Sequence, residues 1–124
     1  MLTLDKLQCR GTKTDGQITS FYCTGEDSGN ISTDMQTIAD IDLSTISPKY
    51  ICFIVRNTSK YDMYITVKQL LPNTDTQINK VGVIVRRNST SRLEFYTPAR
   101  YVVSAMAIQE GATVNYYLYV LLEK

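Results

Sequence analysis

The hydrophobic positions of this chain follow a period of two through much of its length. Residues 50–55 read YICFIV, six apolar residues in a row, and the later positions Met63, Ile65 and Val67 alternate with more polar ones. A continuous apolar run is typical of a strand covered on both faces, whereas alternation is typical of a strand covered on one. The polar stretch 56–60 between them predicts a hairpin whose first strand lies inside a sheet.

Period-two segments recur on both sides of this predicted hairpin. Residues 78–87, 100–109 and 112–122 alternate in the same way, and Asp15-Gly16 is a strong signal for a tight turn between two strands. No long segment has the 3.6-residue period of a helix, although residues 33–39 are compatible with one short helical turn. The pattern therefore predicts strands along most of the chain.

Eight or nine short strands separated by turn signals predict an all-β fold, namely a single antiparallel β-sandwich over residues 1–124. A jelly-roll and an immunoglobulin-like strand order both fit this pattern. A chain of 124 residues is long enough to bury a core without covalent cross-links, so we expect one domain.

Charge is balanced over the whole chain but not along it. The net charge of +1 gives no general attraction to nucleic acid or to a membrane. Residues 14–48 contain six acidic residues and no Lys or Arg, whereas residues 49–124 contain ten basic and five acidic ones. The acidic segment is either a solvated loop or an arm that contacts the basic segment of another copy. For the second case the predicted contact residues are Asp27, Asp34, Asp40, Asp42, Arg86, Arg87, Arg92 and Arg100.

Tyrosine is abundant, with nine tyrosines and no tryptophan. Tyrosine and arginine are enriched in protein–protein interfaces. The last predicted strand is apolar on both faces, which places Tyr117 and Tyr119 on the side that an isolated sandwich leaves in water. This strand is therefore either central in its sheet or covered by another subunit. We include both tyrosines in the predicted interface of a homo-oligomer.

Reactive side chains are scarce in this sequence. The chain has no histidine, which excludes Ser-His-Asp and Cys-His arrangements and removes the commonest general base. Asp40 and Asp42 share one face of a strand, but their acidic segment is more typical of a solvated surface. The segment 24–30 has the composition of a loop and lacks the spacing of a calcium-binding loop. We therefore predict that this protein is not an enzyme and that it binds neither a metal ion nor a cofactor.

Three cysteines, Cys9, Cys23 and Cys52, lie in segments that resemble strands. An odd number cannot pair completely, so we predict buried free thiols and a reducing compartment. The N-terminus has no signal-peptide pattern, and no apolar run reaches the roughly 20 residues of a membrane helix. We therefore expect synthesis in a cytoplasm and no membrane partner.

Three segments of the chain carry a resemblance to known proteins: IVRNTSKYDMYITVKQL, VGVIVRRNSTSRLEFYTPARYVVSAMAI and GATVNYYLYVLLEK. In their strand rhythm they resemble small β-sandwich accessory proteins of tailed phages, such as head-decoration, head-fibre and tail-accessory subunits. The resemblance covers residues 50–124. It implies a non-enzymatic structural protein of the virion, made in the host cytoplasm, that assembles as a symmetric oligomer on a capsid or tail protein.

Two other functions stay open at this point. Exposed tyrosines would suit a carbohydrate- or receptor-binding sandwich, although such modules usually also use tryptophan. Tyrosines interleaved with arginines would suit a barrel that stacks single-stranded nucleic acid. Positive charge outside residues 86–100 is sparse, so nucleic acid is the less favoured partner.

Overall fold

A computed structural model describes the backbone of residues 1–124 and the side chains of all of them except residues 12–14 and 17–19. The chain is almost entirely extended, with one 3-10 helical turn at Leu4–Lys6. No helix in this described backbone is long and apolar enough to cross a membrane. The strands are β1 (Leu2–Thr3), β2 (Gln8–Thr14), β3 (Gln17–Ile31), β4 (Gln36–Asp42), β5 (Tyr50–Asn57), β6 (Met63–Leu70), β7 (Gln77–Val85), β8 (Thr90–Phe95), β9 (Arg100–Ala107) and β10 (Val114–Glu123).

The strands form two five-stranded sheets. The first sheet has the order β1-β4-β9-β6-β7 and the second the order β2-β3-β10-β5-β8. All neighbours are antiparallel except β1 and β4. Strands β3 to β10 form the four-stranded orders β4-β9-β6-β7 and β3-β10-β5-β8, which are those of a jelly roll. The predicted all-β sandwich is therefore confirmed, and of the two strand orders left open the structure has the jelly roll.

The core lies between the sheets and follows the period of two in the sequence. Each strand of an antiparallel sandwich turns alternate side chains inward. The inward residues of β9 and β10, such as Tyr101, Val103 and Leu118, are completely buried. Phe95 and Tyr101 have ring centroids 5.1 Å apart, and Phe53 lies 5.6 Å from Tyr101. Each such side chain contributes about 1.5–3 kcal/mol by leaving water.

The predicted hairpin of residues 50–67 is wrong. Strand β5 belongs to the second sheet and β6 to the first, so their connection crosses from one sheet to the other. Asn57, which is completely buried, holds this crossing in place. Its Nδ2 donates to the carbonyls of Tyr61 and Val85 at 2.7 and 3.1 Å, and its Oδ1 accepts from the N–H of Ser59 at 2.9 Å. A polar connection of this length looks the same in sequence whether it closes a hairpin or changes sheets.

Two local predictions between residues 24 and 39 are also wrong. Residues 24–30 form the second half of β3 and pair with β10, because the tertiary ladder outweighs their loop-like composition. Gly29 lets the Tyr116 ring pack closely, since a Cβ there would lie 3.3 Å from Cε1 of the ring. Residues 33–39 form no helical turn, since β4 begins at Gln36 and pairs with β9.

The prediction of three free thiols holds only for Cys52, which is free and completely buried. Cys9 and Cys23 form a disulfide that joins β2 to β3. The two residues are opposite each other in the β2–β3 register, a proximity that depends on the hairpin and not on their spacing alone. The disulfide also removes the basis on which a reducing compartment was predicted.

Candidate functional site

Strand β10 is central in its sheet, but its outward side chains are exposed to solvent. It lies between β3 and β5 in the second sheet, and its inward side chains are buried. Its outward side chains include Tyr117 and Tyr119, which are 44% and 39% exposed. The strand is therefore central, yet this position leaves the two predicted tyrosines on the outer face of the sandwich.

The strand register brings three further tyrosines to the same outer face. Tyr22 of β3 and Tyr50 of β5 are both opposite Glu123 of β10. Tyr96 follows β8, and its ring centroid lies 5.9 Å from that of Tyr50. Side chains of directly opposed residues point to the same side of a sheet. We call this set the tyrosine face, and its members are Tyr22, Tyr50, Tyr96, Tyr117 and Tyr119.

Charges of both signs surround these rings. Three arginines and three glutamates are exposed on the same side, namely Arg10, Arg56, Arg92, Glu26, Glu94 and Glu123. Half-buried Ile54 and Leu121 lie between them. The tyrosine face therefore combines aromatic, aliphatic and mixed-charge positions, which is the composition of protein interfaces.

Hydrogen bonds hold one edge of the tyrosine face in a fixed arrangement. Arg92 donates from Nη2 to the Tyr50 hydroxyl at 3.0 Å, and its Nε lies 3.6 Å from Glu94. The Tyr96 hydroxyl donates to Glu94 at 3.2 Å. This bond raises the pKa of Tyr96, and a hydrogen bond with Cys52 raises that of Tyr50. Both hydroxyls therefore stay protonated at neutral pH, and because the Tyr96 proton is donated to Glu94, the oxygen of Tyr96 is left to accept a hydrogen bond from a partner.

A cleft lies next to Tyr22 and Tyr119 on the tyrosine face. It has a volume of about 640 Å³. Its walls carry both aromatic and polar side chains, including Lys6, Gln8, Tyr22, Thr24, Glu26 and Tyr119. A cleft of this size and mixed lining is large enough for a small polar ligand.

Arg100 and Asp40, both predicted to contact another copy, bind each other. Arg100 Nε and Nη2 donate to the two carboxylate oxygens of Asp40 at 2.9 and 2.7 Å. Its Nη1 reaches Asp75 at 3.1 Å and the carbonyl of Thr74 at 2.9 Å. The pKa of Arg100 is raised by its hydrogen bonds to Asp40. Arg100 of β9 therefore joins β4 to the β6–β7 connection within the same chain.

The other predicted acids have separate surroundings. Asp42 accepts hydrogen bonds from the hydroxyl and N–H of Ser44 at 2.7 and 3.0 Å, which lower the pKa of Asp42. Asp27 faces away from the tyrosine face, and its carboxylate lies 3.2 Å from the amino group of Met1. Asp34 is exposed in the connection between β3 and β4. The structure thus disperses the four acids.

The four predicted arginines are also divided. Arg92 is on the tyrosine face, Arg100 is paired with Asp40, and Arg86 and Arg87 are exposed in the connection between β7 and β8. The acidic and basic halves of the sequence therefore do not become two opposite surfaces. An interface role for these residues stays a prediction.

Sequence reasoning did not identify Tyr22, Tyr50, Tyr96 or Ile54 as site residues. The alternation of residues 17–23 separates Tyr22 from Phe21, but it does not say which strand lies beside it. The pairings of β3 and β5 with β10 decide that these residues share a face. Among the described side chains, no group of three or more Cys, Asp or Glu residues is placed to hold a metal ion.

No protein-family model matches the sequence, and neither does any curated protein. Several solved structures share its fold. A protein of Bacillus endospore appendages, described as disulfide-linked pili, matches with a TM-score of 0.56 and 10% identity over 92% of this chain and 95% of that one. The decameric BFDV capsid protein matches with a TM-score of 0.50 and 12% identity over 84% of this chain and 95% of that one.

An enzyme contains a similar fold as a small part of its chain. Tripeptidyl peptidase 2 matches with a TM-score of 0.56 and 13% identity over 82% of this chain but 10% of its own. The same sandwich thus occurs in a pilus protein, a capsid protein and a peptidase. At these identities the likeness concerns the fold, and function has to be argued from the surface of this chain.

Proposed function

We propose that this chain is a non-enzymatic structural protein of a phage virion, a capsid- or tail-associated accessory subunit that assembles through its β-sandwich. The tyrosine face is the observation that carries the proposal. Its five aromatic side chains project from one outer face of a five-stranded sheet, and two of them are on the central strand. The occurrence of this fold in a pilus protein and a capsid protein is compatible with such a role.

Burial of the tyrosine face against a partner would be favourable. Tyr22, Tyr96 and Tyr117 are 48%, 65% and 44% exposed, so much of their apolar area remains to be removed from water. Tyrosine loses little conformational entropy on binding for the area it buries, and its hydroxyl keeps a hydrogen-bond partner. Rings that stand on a paired sheet are also preorganised, which lowers the cost of association.

The partner that we propose for the tyrosine face is a second copy of this chain. Three arginines and three glutamates are interleaved on that face, which gives it both signs of charge and makes it able to complement itself. A two-fold contact places the same patch of both subunits together, so a patch must carry both signs to avoid repulsion. A partner of one charge would fit a face of the opposite charge better.

Light scattering coupled to size-exclusion chromatography tests this contact. We expect the wild type to be larger than its 14.0 kDa chain and the Tyr117→Ser/Tyr119→Ser variant to shift to the monomer. The control is Ile78→Ser/Ile84→Ser, which removes two exposed apolar side chains from strand β7 of the other sheet. A wild type that stays monomeric at all concentrations and salt conditions would contradict the proposal.

The virion location has a test of its own. We expect the chain to sediment with purified phage particles and to be released from them by the tyrosine substitutions. Its gene should lie next to genes for capsid, portal or tail proteins. Absence of the chain from particles, together with an oligomer in solution, would retain the assembly role and reject the virion.

Carbohydrate binding is a second candidate function, favoured by the cleft of about 640 Å³ beside Tyr22 and Tyr119. An aromatic ring beside Gln, Thr and Glu side chains can stack on a sugar and bind its hydroxyls. A glycan array separates the two functions. A sugar signal that Tyr22→Ala or Tyr119→Ala abolishes would support this candidate, whereas an assembly subunit should show no sugar dependence.

A further inference from the structure

We propose a second site, at one end of the sandwich, that binds a single phosphate or sulfate group between Lys60, Arg86 and Arg87. The three side chains stand on the β5–β6 and β7–β8 connections, away from the tyrosine face. They line a concavity of about 380 Å³ together with Tyr61, Asp62, Ser89 and Gln109. The site is independent of the proposed assembly role.

The two connections that carry the site are bonded to each other. The N–H of Asn88 donates to the carbonyl of Ser59 at 3.1 Å, and the N–H of Asn57 donates to the carbonyl of Ser89 at 2.9 Å. The buried Asn57 side chain adds bonds to Tyr61 and Val85. A binding site built on backbone held in this way needs little ordering when a ligand arrives.

The charges of the concavity are not neutralised within the described side chains. The described ion pairs involve Met1, Arg92 and Arg100, and none includes Lys60, Arg86 or Arg87. One acid, Asp62, lines the concavity, and its Oδ1 accepts the backbone N–H of Arg87 at 2.8 Å. Three cations therefore face one carboxylate that already has a hydrogen-bond donor.

Arginine side chains favour a tetrahedral oxyanion as the ligand. Each guanidinium offers a planar fork of donors that matches two oxygens of a phosphate or sulfate, and a lysine adds a point charge. The Ser89 hydroxyl and the Gln109 amide line the same concavity and can donate further hydrogen bonds. A carboxylate ligand has fewer oxygens and would leave part of this set unused.

The surroundings favour one anionic group over a long polyanion. The N–H of Ile108 donates to the carbonyl of Asp62 at 3.3 Å, and that of Ala107 to Ser32 at 2.8 Å, so the β9–β10 and β3–β4 connections lie at the same end. These connections carry exposed Glu110 and Asp34. A nucleic acid strand leaving the concavity on that side would meet carboxylates.

Isothermal calorimetry with inorganic sulfate and with pyrophosphate tests the site. We expect saturable binding to the wild type at low salt, and binding weaker by about tenfold or more in R86Q/R87Q, because each lost charged hydrogen bond lowers affinity by about that factor. The control K49Q/K80Q also removes two positive charges, from exposed positions outside both this site and the tyrosine face. It should bind like the wild type.

Further measurements keep the outcomes distinct. The amide NMR signals of Arg87 and Ser89 should shift on titration, and the single variant Arg87→Gln should show an intermediate affinity. A sugar phosphate and a sulfated disaccharide then distinguish the two sources of the group. An equal loss of affinity in R86Q/R87Q and K49Q/K80Q would overturn the proposal, because the affinity would then depend only on the net charge of the protein. Affinity for oligothymidylate that rises with its length would overturn it in favour of a polyanion track.

Discussion

The two outer faces of the sandwich differ in how far their tyrosine side chains are covered by the sheet that carries them. On the first sheet, Tyr64 of β6 lies across Gly82 of β7, where an added Cβ would be 2.9 Å from Cζ of the ring. Beside it, Thr66 and Ser104 are 2% and 9% exposed although they point outward. On the second sheet, the rings of the tyrosine face remain in contact with water. We call the first the closed face, because Tyr64, Thr66 and Ser104 are covered there although Ile84 stays 50% exposed, and the second the open face.

The difference follows from the residues across the strands. Gly82 has no side chain, so the Tyr64 ring can lie flat on the sheet. Gly82 is diagonal to Tyr64, whereas the residues diagonal to Tyr117 all carry side chains, namely Glu26, Asn30 and Ile54. Tyrosine content alone therefore does not create an interaction surface. A tyrosine beside a glycine of the neighbouring strand can cover its own sheet. A tyrosine without such a neighbour remains available to a partner.

Asn57→Ala should have the largest effect, because Asn57 links the two sheets whose outer faces differ. The substitution leaves the buried carbonyls of Tyr61 and Val85 without their side-chain donor. We expect a loss of about 2–4 kcal/mol in the free energy of unfolding. Urea denaturation measures it, with exposed Asn79→Ala as the control. A loss below that of the control would show that the crossing is held by other contacts.

Removal of the disulfide should increase local opening only in the second sheet, which carries the open face. Cys9 and Cys23 tie β2, the edge strand of the second sheet, to β3. We expect Cys9→Ser/Cys23→Ser to lower the free energy of unfolding by about 1–3 kcal/mol. Hydrogen exchange should increase in β2 and stay unchanged in β6 and β7. Equal increases in both sheets would mean that the disulfide stabilises the whole sandwich.

Tyr64→Ser and Tyr117→Ser compare the two faces directly. We expect about 1–2 kcal/mol of destabilisation for the first, because the ring covers Gly82 and its neighbours. For the second, in monomeric protein, we expect a change within about 0.5 kcal/mol because the ring is exposed. Urea denaturation of both variants gives the comparison. Equal losses would remove the distinction between a closed and an open face.

Asp42 should give the smallest effect, at the loop end of the closed sheet. The Ser44 hydroxyl holds the pKa of Asp42 below its ordinary value of 3.8. The ionised carboxylate therefore stabilises the fold above that pH, and this contribution is lost as the pH falls through the lowered pKa. We expect Ser44→Ala to cost about 0.5 kcal/mol at pH 7, and less as the pH falls through the lowered pKa of Asp42, as measured by urea denaturation at several pH values. A cost that does not change with pH would mean that Ser44 acts without Asp42.

Local pattern was a good guide wherever a strand has one buried face. Alternation separated the two faces of β9 and β10 and identified the outward face of β10, and Asp15-Gly16 forms the predicted turn, with φ of 53° and 80°. The pattern failed where a contact between distant segments decides. Residues 24–30 look like a loop until β10 pairs with them, and Cys9 meets Cys23 because a hairpin places them opposite each other.

By itself the sequence determined the all-β class, the division of most strands into two faces and the presence of tyrosines on the outside of β10. Each of these depends on side-chain direction along one strand, which has a period of two. The tertiary structure decided the jelly-roll order, the five members of the tyrosine face and the internal pairing of Arg100 with Asp40. These depend on which strands become neighbours, and that choice is made by burial of the whole core.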